Sequence, residues 1–348
     1  MAKHKKKYNP SMPSERFDSM DLAALRSSPI IGTLAQNPQY RFDSAEDATV
    51  FFARELDHIK AQTYDVEYPE FNATRLFPVE SSVDPGMETI TYYSYDRTGM
   101  AQIIANYSDD LPRADVLGKP FTAQIRGLGA SYAYSVQDMR AGRYAGKSLD
   151  VRRGEAARRA IDALINRIAW CGDKTHGLRG VLSPENQVPI WTTPMNAGGT
   201  STKFMDKTPD EIFATFSGAL QYMSDTTKGV ERPDTIVLDE SNYIYLSTTP
   251  RSAVSDTTIL AWLSGNLPGI KFERASELSA NTEYNPFGDQ AVMVVYRNDP
   301  RKLTIEIPLL FNQLPVQPKN LAFEIQCEAR IAGAIIYYPL SLLIVPGV

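Results

Sequence analysis

Histidine and cysteine are the scarce residues of this 348-residue chain. There are three histidines, His4, His58 and His176, and two cysteines, Cys171 and Cys327. Two thiols so far apart make no disulfide framework and point to a reducing compartment. A serine or cysteine hydrolase needs a base. His4 sits in a basic tail and His58 beside the apolar face of a helix, which leaves His176. A zinc site needs about four nitrogen or sulfur ligands, and so few residues reach that number only by coincidence of folding. There is no G-x-x-x-x-G-K-[ST], no G-x-S-x-G and no H-E-x-x-H. Gly127-Leu128-Gly129 lacks the third glycine of a dinucleotide loop and reads as a backbone turn. Neither charge sign dominates: 36 Lys and Arg stand against 41 Asp and Glu, so the surface as a whole is not built to wrap nucleic acid. The opening MAKHKKKYNP has no apolar region after its charges and reads as no secretory signal. One long uncharged run exists, 331–348. Pro339 and Pro346 interrupt it and no basic cluster follows. Its Ile, Val and Tyr content therefore suggests buried strands rather than a membrane span. No internal repeat is found.

Apolar residues make up 43% of the chain, enough for a sizeable core and about two domains. Residues 1–43 read as a polar arm. Its basic tip, Lys3, Lys5, Lys6 and Lys7, is either a solvated tail or a contact for a polyanion such as nucleic acid. Residues 44–61 have helical spacing. Residues 88–96 have strand composition, 100–107 fit another strand, 108–120 read as a long loop, and 121–136 return to strand. This β-rich excursion, within 64–136, is too polar at its tip to hold a core of its own. The clearest helix is 148–171, with a stripe of Ala157, Ala160, Ile161, Leu164, Ile165 and Ile168. Its other faces carry five arginines and three acids, with Glu155–Arg159 and Arg158–Asp162 spaced to pair. A solvated or subunit-facing surface fits this mixture better than a phosphate site. Thr208-Pro209-Asp210-Glu211 is a helix start with a capping box. Over 206–300, strands at 234–239 and 290–297 alternate with helices at 241–248 and 257–265, an α/β layer. From 301 onward β-type residues and prolines dominate.

The stretch CGDKTHGLRGVL, 171–182, admits two readings. Cys171, Asp173 and His176 could ligate a metal or build a thiolate nucleophile. They could also be a turn ending the long helix. In the second reading Cys171 is a small apolar residue at the end of the stripe, and Gly172 takes the left-handed cap. Lys174 and His176 complement the helix dipole, and Gly177 and Gly180 flank a turn into a strand start at Val181-Leu182. The turn reading accounts for every residue without catalysis.

Gly172, Asp173, Thr175, Gly177, Leu178 and Gly180, following a long amphipathic helix, resemble the spine helix and following loop of tailed-bacteriophage major capsid proteins with the Hong Kong 97 fold. YSVQDMRAG, 134–142, is similar to the segment leading into that helix. FPVESSVDPGMETITYYSYDRTGMAQIIANYSDDLPRADV, 77–116, resembles one subfamily long catalogued only as a domain of unknown function. The resemblance covers 44–348 and is most specific over 77–182. It implies an α+β fold in this order: N-terminal arm 1–43, helix and lead-in 44–76, extended β-hairpin E-loop 77–125, peripheral domain 126–205 with the spine helix, axial domain 206–300, and a β-rich return 301–348.

The resemblance also implies a shell subunit without catalytic residues, cofactor or metal. That subunit assembles with itself into hexamers and pentamers around double-stranded DNA. Scaffold, cement and portal proteins are the further partners implied, DNA lies non-specifically on the inner face, and no membrane is involved. The location implied is the virion, and the host cytoplasm during assembly. Residues placed for intersubunit contact are Asp96, Arg97, Asp109, Asp110, Arg113, Arg152 and Arg159, and the lysine tip is placed for genome or scaffold contact. The same fold builds encapsulin nanocompartments, which stands as the alternative. A Cys171/His176 enzyme and an adhesin or receptor-binding module stand behind it. Lys119 lies in the broad region where some relatives crosslink a loop lysine to a neighbour's asparagine. No partner asparagine or glutamate matches a motif, so that chemistry is not carried over.

Overall fold

A computed structural model describes residues 69–98, 115–145, 149–252, 254 and 256–348. The expected helix at 44–61, the expected strand at 100–107 and the lysine tip lie outside the described residues. The first described elements are a short helix, α1 (Ala73–Leu76), and a two-residue strand, β1 (Val79–Glu80). Two ten-residue strands follow, β2 (Thr89–Thr98) and β3 (Asp115–Gln124), paired in antiparallel register from Thr89↔Gln124 to Thr98↔Asp115. The loop expected through 120 therefore gives way to strand at Asp115. Val116, Leu117 and Phe121 supply the β character, and Pro120 is tolerated because nothing among the described strands pairs with the far side of β3.

Next comes β4 (Arg126–Ser135). Gly127-Leu128-Gly129, expected as a turn, lies inside it and pairs with Arg330, Ala329 and Glu328. A ten-residue ladder overrides the local turn preference of glycine. Helix α2 (Val136–Ala145) opens with a reciprocal cap. The Asp138 N–H donates to Ser135 Oγ at 3.0 Å and the Ser135 N–H to Asp138 Oδ2 at 3.3 Å.

The long helix α3 (Leu149–Cys171) forms where its spacing places it. Ala157, Ile161, Ile165 and Ile168 are buried, along with Ala169 and Trp170. Ala160 and Leu164 are exposed, so the inner stripe is narrower than expected and is rotated toward Ala169 and Trp170. The buried set steps by four, four and three, which tracks one face of a 3.6-residue helix. The inner face also carries Asn166, buried to 2% exposure. Its Oδ1 accepts from the Ala73 N–H at 3.0 Å and its Nδ2 donates to Glu277 Oε1 at 2.9 Å.

Strands β5 (Gly172–Asp173) and β6 (Leu178–Arg179) form a small hairpin after α3. Helix α4 (Pro209–Thr227) has the full capping box, with Thr208 and Glu211 exchanging bonds and Pro209 in the first turn. Then come β7 (Thr235–Asp239), α5 (Glu240–Thr248), α6 (Ile259–Asn266), β8 (Lys271–Ala275) and β9 (Val292–Tyr296). The chain finishes with β10 (Leu303–Glu306), β11 (Leu309–Gln313), β12 (Gln317–Lys319), β13 (Ala322–Ile331), β14 (Gly333–Ile336) and β15 (Leu342–Pro346).

One sheet has the order β15-β9-β7-β8. All residues of β7, β9 and β15 are buried, and alternate side chains fall into two cores. Val237, Val292, Val294, Tyr296, Leu342 and Ile344 join the core containing α3. Ile236, Leu238, Met293, Val295, Leu343 and Val345 join the core containing α4. The sheet is the wall between the two cores, and a strand with two buried faces has no reason to alternate. This explains the uncharged C-terminal run as two buried strands, and no helix among the described residues is long and apolar enough to cross a membrane. It also divides the C-terminal segment: β10 and β14 belong to the sheet β1-β10-β14-β6-β5, whereas β15 closes the sheet of β7 and β9. A third sheet joins β11 and β12 to one side of β13 and β4 to the other. Helix α3 packs across β4, β13 and β14.

Lys207 is buried beside the start of α4, 5% exposed, with its Nζ 3.2 Å from Thr215 Oγ1. Burial depresses its pKa to about 8, against a smaller raising effect from Glu211. The folded state then binds fewer protons than the unfolded chain between about pH 8 and 10.5, so stability gains with pH across that window. Lys207→Met is expected to raise the unfolding free energy by about 1–2 kcal/mol at pH 7, with the gain fading toward pH 10. Urea titrations of both proteins at the two pH values measure this.

Candidate intersubunit surface

The end of α3 is the first place to look for chemistry. Gly172 has φ 72°, and a side chain there would meet Leu178 O at 2.5 Å and Gly180 N at 2.6 Å. A side chain at Gly180 would meet Gly172 N at 2.3 Å. The two glycines let the chain fold back against the helix end. Val181 and Leu182 are then not a strand start. Their N–H groups donate to Ala169 O and Trp170 O, both at 2.8 Å, and Ser183 Oγ donates to Cys171 O at 2.7 Å. These bonds satisfy carbonyls that a helix C-terminus leaves open.

Cys171 and His176 take separate partners. The Cys171 thiol donates to Tyr284 O at 2.6 Å, and burial pushes its pKa to about 11. His176 Nδ1 lies 2.6 Å from Asp173 Oδ2, and that hydrogen bond is the main reason the Asp173 carboxyl sits low. Lys174 pairs with Glu185 at 3.4 Å. The two side chains expected to face the helix dipole thus face carboxylates instead. No group of three or more His, Cys, Asp or Glu side chains fit to hold a metal occurs among the described residues. At pH 8 only about one Cys171 thiol in a thousand is ionised. Native protein is therefore expected to react with iodoacetamide at Cys171 at least tenfold more slowly than unfolded protein, as read by mass spectrometry of the modified peptide.

The β2–β3 hairpin is the more consequential feature. Directly opposed residues share a face, so Thr91, Tyr93 and Tyr95 lie with Thr122, Pro120 and Gly118 on one side. Tyr93 and Tyr95 are 61% and 66% exposed and stack at 6.3 Å. The Tyr95 ring lies over Gly118, where an added Cβ would come within 3.0 Å of it. Val116 extends the same face and is 55% exposed. The opposite face is anchored at its root, where Tyr92 stacks on Phe121 at 5.4 Å and meets Tyr337 edge-on at 5.0 Å. The hairpin thus has a fixed base and an outer half on which Tyr93, Tyr95, Val116 and Leu117 are each more than half exposed. A two-stranded ribbon of this kind is marginal by itself in water.

Asp96 and Arg97 lie on β2 of this hairpin, opposite Leu117 and Val116. Asp109, Asp110 and Arg113 lie outside the described residues. On α3, Arg152 is exposed. Arg159 donates to Pro69 O at 3.2 Å and lies over the Phe71 ring at 5.0 Å. Arg158 pairs with Asp162 at 3.8 Å. Lys119 lies over the Phe121 ring at 5.3 Å. The structure therefore gathers Asp96 and Arg97 on the hairpin and holds Arg159 against the chain that precedes α1.

Glu231, Asp239, Glu277 and Glu306 are buried carboxylates that the sequence did not single out, and the last two are the most informative. Glu277 is 2% exposed and accepts from the Asn72 N–H at 3.0 Å, Asn72 Nδ2 at 3.0 Å and Asn166 Nδ2 at 2.9 Å. Glu306 is 3% exposed, and its Oε1 accepts from Thr304 Oγ1 at 2.8 Å. The signal for Glu306 was available in the pattern Leu303-Thr-Ile-Glu-Ile307, a charge inside a strand of buried residues.

A family model described as major capsid protein matches residues 99–348. Among solved structures, the capsid of Myoviridae phage XM1 is similar at a TM-score of 0.71 and 15% identity, over 85% of this chain and 98% of that one. The capsid of a native GTA particle matches at 0.60 and 12% identity, over 88% and 99%. A structure from Gordonia phage Cozz matches at 0.56 and 11%, over 89% and 97%. No curated protein matches in sequence. At these identities the likeness shows the fold, which is that of phage capsids.

Proposed function

The chain belongs to the major capsid protein family, the subunits of an icosahedral head shell, and from that premise we propose that copies join as hexamers and pentamers through the β2–β3 hairpin. The exposed Tyr93–Tyr95 ladder on an anchored ribbon is the observation that carries this reading. It leaves apolar surface uncovered on an element too thin to bury it, and a second copy of the chain supplies the cover. In this reading residues 77–125 are the loop that reaches a neighbour. Residues 126–205 and most of 301–348 form the peripheral part, and 206–300 with β15 form the part around the capsomer axis. Asp96, Arg97, Asp109, Asp110 and Arg113 make polar contacts at the hairpin, and Arg152 and Arg159 do so along α3. Single surface pairs contribute under about 1 kcal/mol, so apolar burial drives the association and the charges set its register.

The remaining partners follow from the same reading. The shell encloses double-stranded DNA, which its inner face touches without sequence preference, and Lys3, Lys5, Lys6 and Lys7 meet the genome or a scaffold. Scaffold, cement and portal proteins are further partners, and assembly takes place in the host cytoplasm. The role is structural, with no catalytic step assigned to any residue. Sedimentation and negative-stain microscopy of the chain expressed with its scaffold test the reading. Closed shells or capsomer rings are expected, and a monodisperse monomer under those conditions would contradict it.

A further inference from the structure

A cavity of about 450 Å³ opens at the root of the hairpin, lined by Glu80, Ser82, Ile90, Arg301, Thr304, Glu306 and Tyr337 among others. Its floor is charged in an unusual way. Glu306 is 3% exposed. Its Oε1 is held by Thr304 at 2.8 Å and Tyr337 at 3.2 Å, whereas its Oε2 is buried with no hydrogen-bond partner. Glu80 stands opposite it in the parallel register of β1 and β10 and adds like charge. Arg301 lines the cavity but is exposed, and no cation among the described residues forms an ion pair with Glu306.

A buried carboxylate without a counter-charge is costly as an anion, and a cationic partner reverses that cost. Burial accordingly pushes the Glu306 carboxyl above its ordinary range. The missing group is positive, and the cavity is roomy enough for a long side chain. A bound metal ion fits less well, because no cluster of three ligating side chains occurs among the described residues. The place also favours a neighbouring subunit. Ile90 of β2 lines the cavity, and Tyr337, which holds Glu306, is the residue on which Tyr92 rests. The cavity therefore adjoins the element assigned above to intersubunit contact.

We propose that this cavity receives a lysine or arginine side chain from a second copy of the chain, which supplies the counter-charge for Glu306. The inference rests on the shell reading above. The side chain enters along the wall formed by Glu80, and its cation meets the free Oε2 of Glu306 at the deep end. Thr304 and Tyr337 keep the carboxylate turned toward it. The contact then forms only on assembly, so the carboxyl gains its counter-charge in the shell alone.

The test compares wild type with Glu306→Gln, which keeps the shape and the Oε1 bonds while removing the charge, and with Glu80→Gln. The melting temperature of unassembled Glu306→Gln should equal or exceed that of wild type. Its shells should need at least a tenfold higher subunit concentration to form, and Glu80→Gln should shift in the same direction by less. Shell formation by Glu306→Gln at the wild-type concentration would overturn the inference and leave the shell reading intact. If EDTA reproduces the Glu306→Gln defect in wild-type shells, the occupant is a metal ion and the side-chain assignment is overturned. Failure of wild type to form any shell would overturn the shell reading and this inference with it.

Discussion

Replacing residues 93–120 with Asn-Gly, which links Tyr92 to its register partner Phe121, is expected to leave a folded subunit that forms no shell. The reason lies in how the hairpin divides. Its root is part of the body: Tyr92 contacts Phe121 and Tyr337, the Ile125 N–H donates to Glu88 O at 2.8 Å, and Arg330 donates to Pro85 O. The shortened form keeps all of these. Its outer half contributes Tyr95, Val116 and Leu117, each more than half exposed, and these give the subunit's own core nothing. Asn-Gly is a favoured two-residue hairpin connection, so the cut ends rejoin without strain. The melting temperature should fall within a few degrees of wild type, while sedimentation shows only subunits or small oligomers. Normal shells from the shortened chain would remove the hairpin from the interface.

Glu277→Ala is expected to have the largest effect on stability, a loss of about 3–5 kcal/mol from several buried donors left without an acceptor. One carboxylate receives four hydrogen bonds, one from its neighbour Ser276 and three from distant groups, the main chain and side chain of Asn72 and Asn166 on α3. It stands in the segment directly after β8. It therefore ties together three stretches far apart in sequence, at a site closed to water. Removing it leaves the Asn72 N–H and two amide groups without their acceptor, and an unmet buried donor costs more than the bond it lost. Glu277→Gln should cost less, because its amide oxygen still accepts one or two of the three. Urea unfolding of the subunit measures both, and an Ala variant within 1 kcal/mol of wild type would show that these bonds are replaced by water.

What was legible in the sequence was local in origin. Thr208, Pro209 and Glu211 announce the start of α4 because a cap is a contact over three residues. The stripe on α3 shows its period, though Ala160 and Leu164 fell outside it. Only the packing of β4, β13 and β14 against the helix decides how wide the buried face is. The Gly172 cap was readable because few other residues adopt its conformation. The turn assigned to Gly127 and Gly129 failed for the opposite reason: β13 recruits them into a ladder from two hundred residues away. Likewise, nothing local says that β15 completes the sheet of β7 and β9, or that Glu277 and Glu306 sit where three segments converge. The family resemblance supplied the fold class, and the likeness to solved phage capsids bears that out.

The role of the hairpin turns on where it lies in an assembled shell. A cryo-electron microscopy map of shells made from this chain, at a resolution that traces β2 and β3, decides it. The face bearing Tyr93, Tyr95 and Val116 is expected to lie against the body of an adjacent subunit. A map in which that face points into solvent, or folds back onto its own subunit, would contradict it.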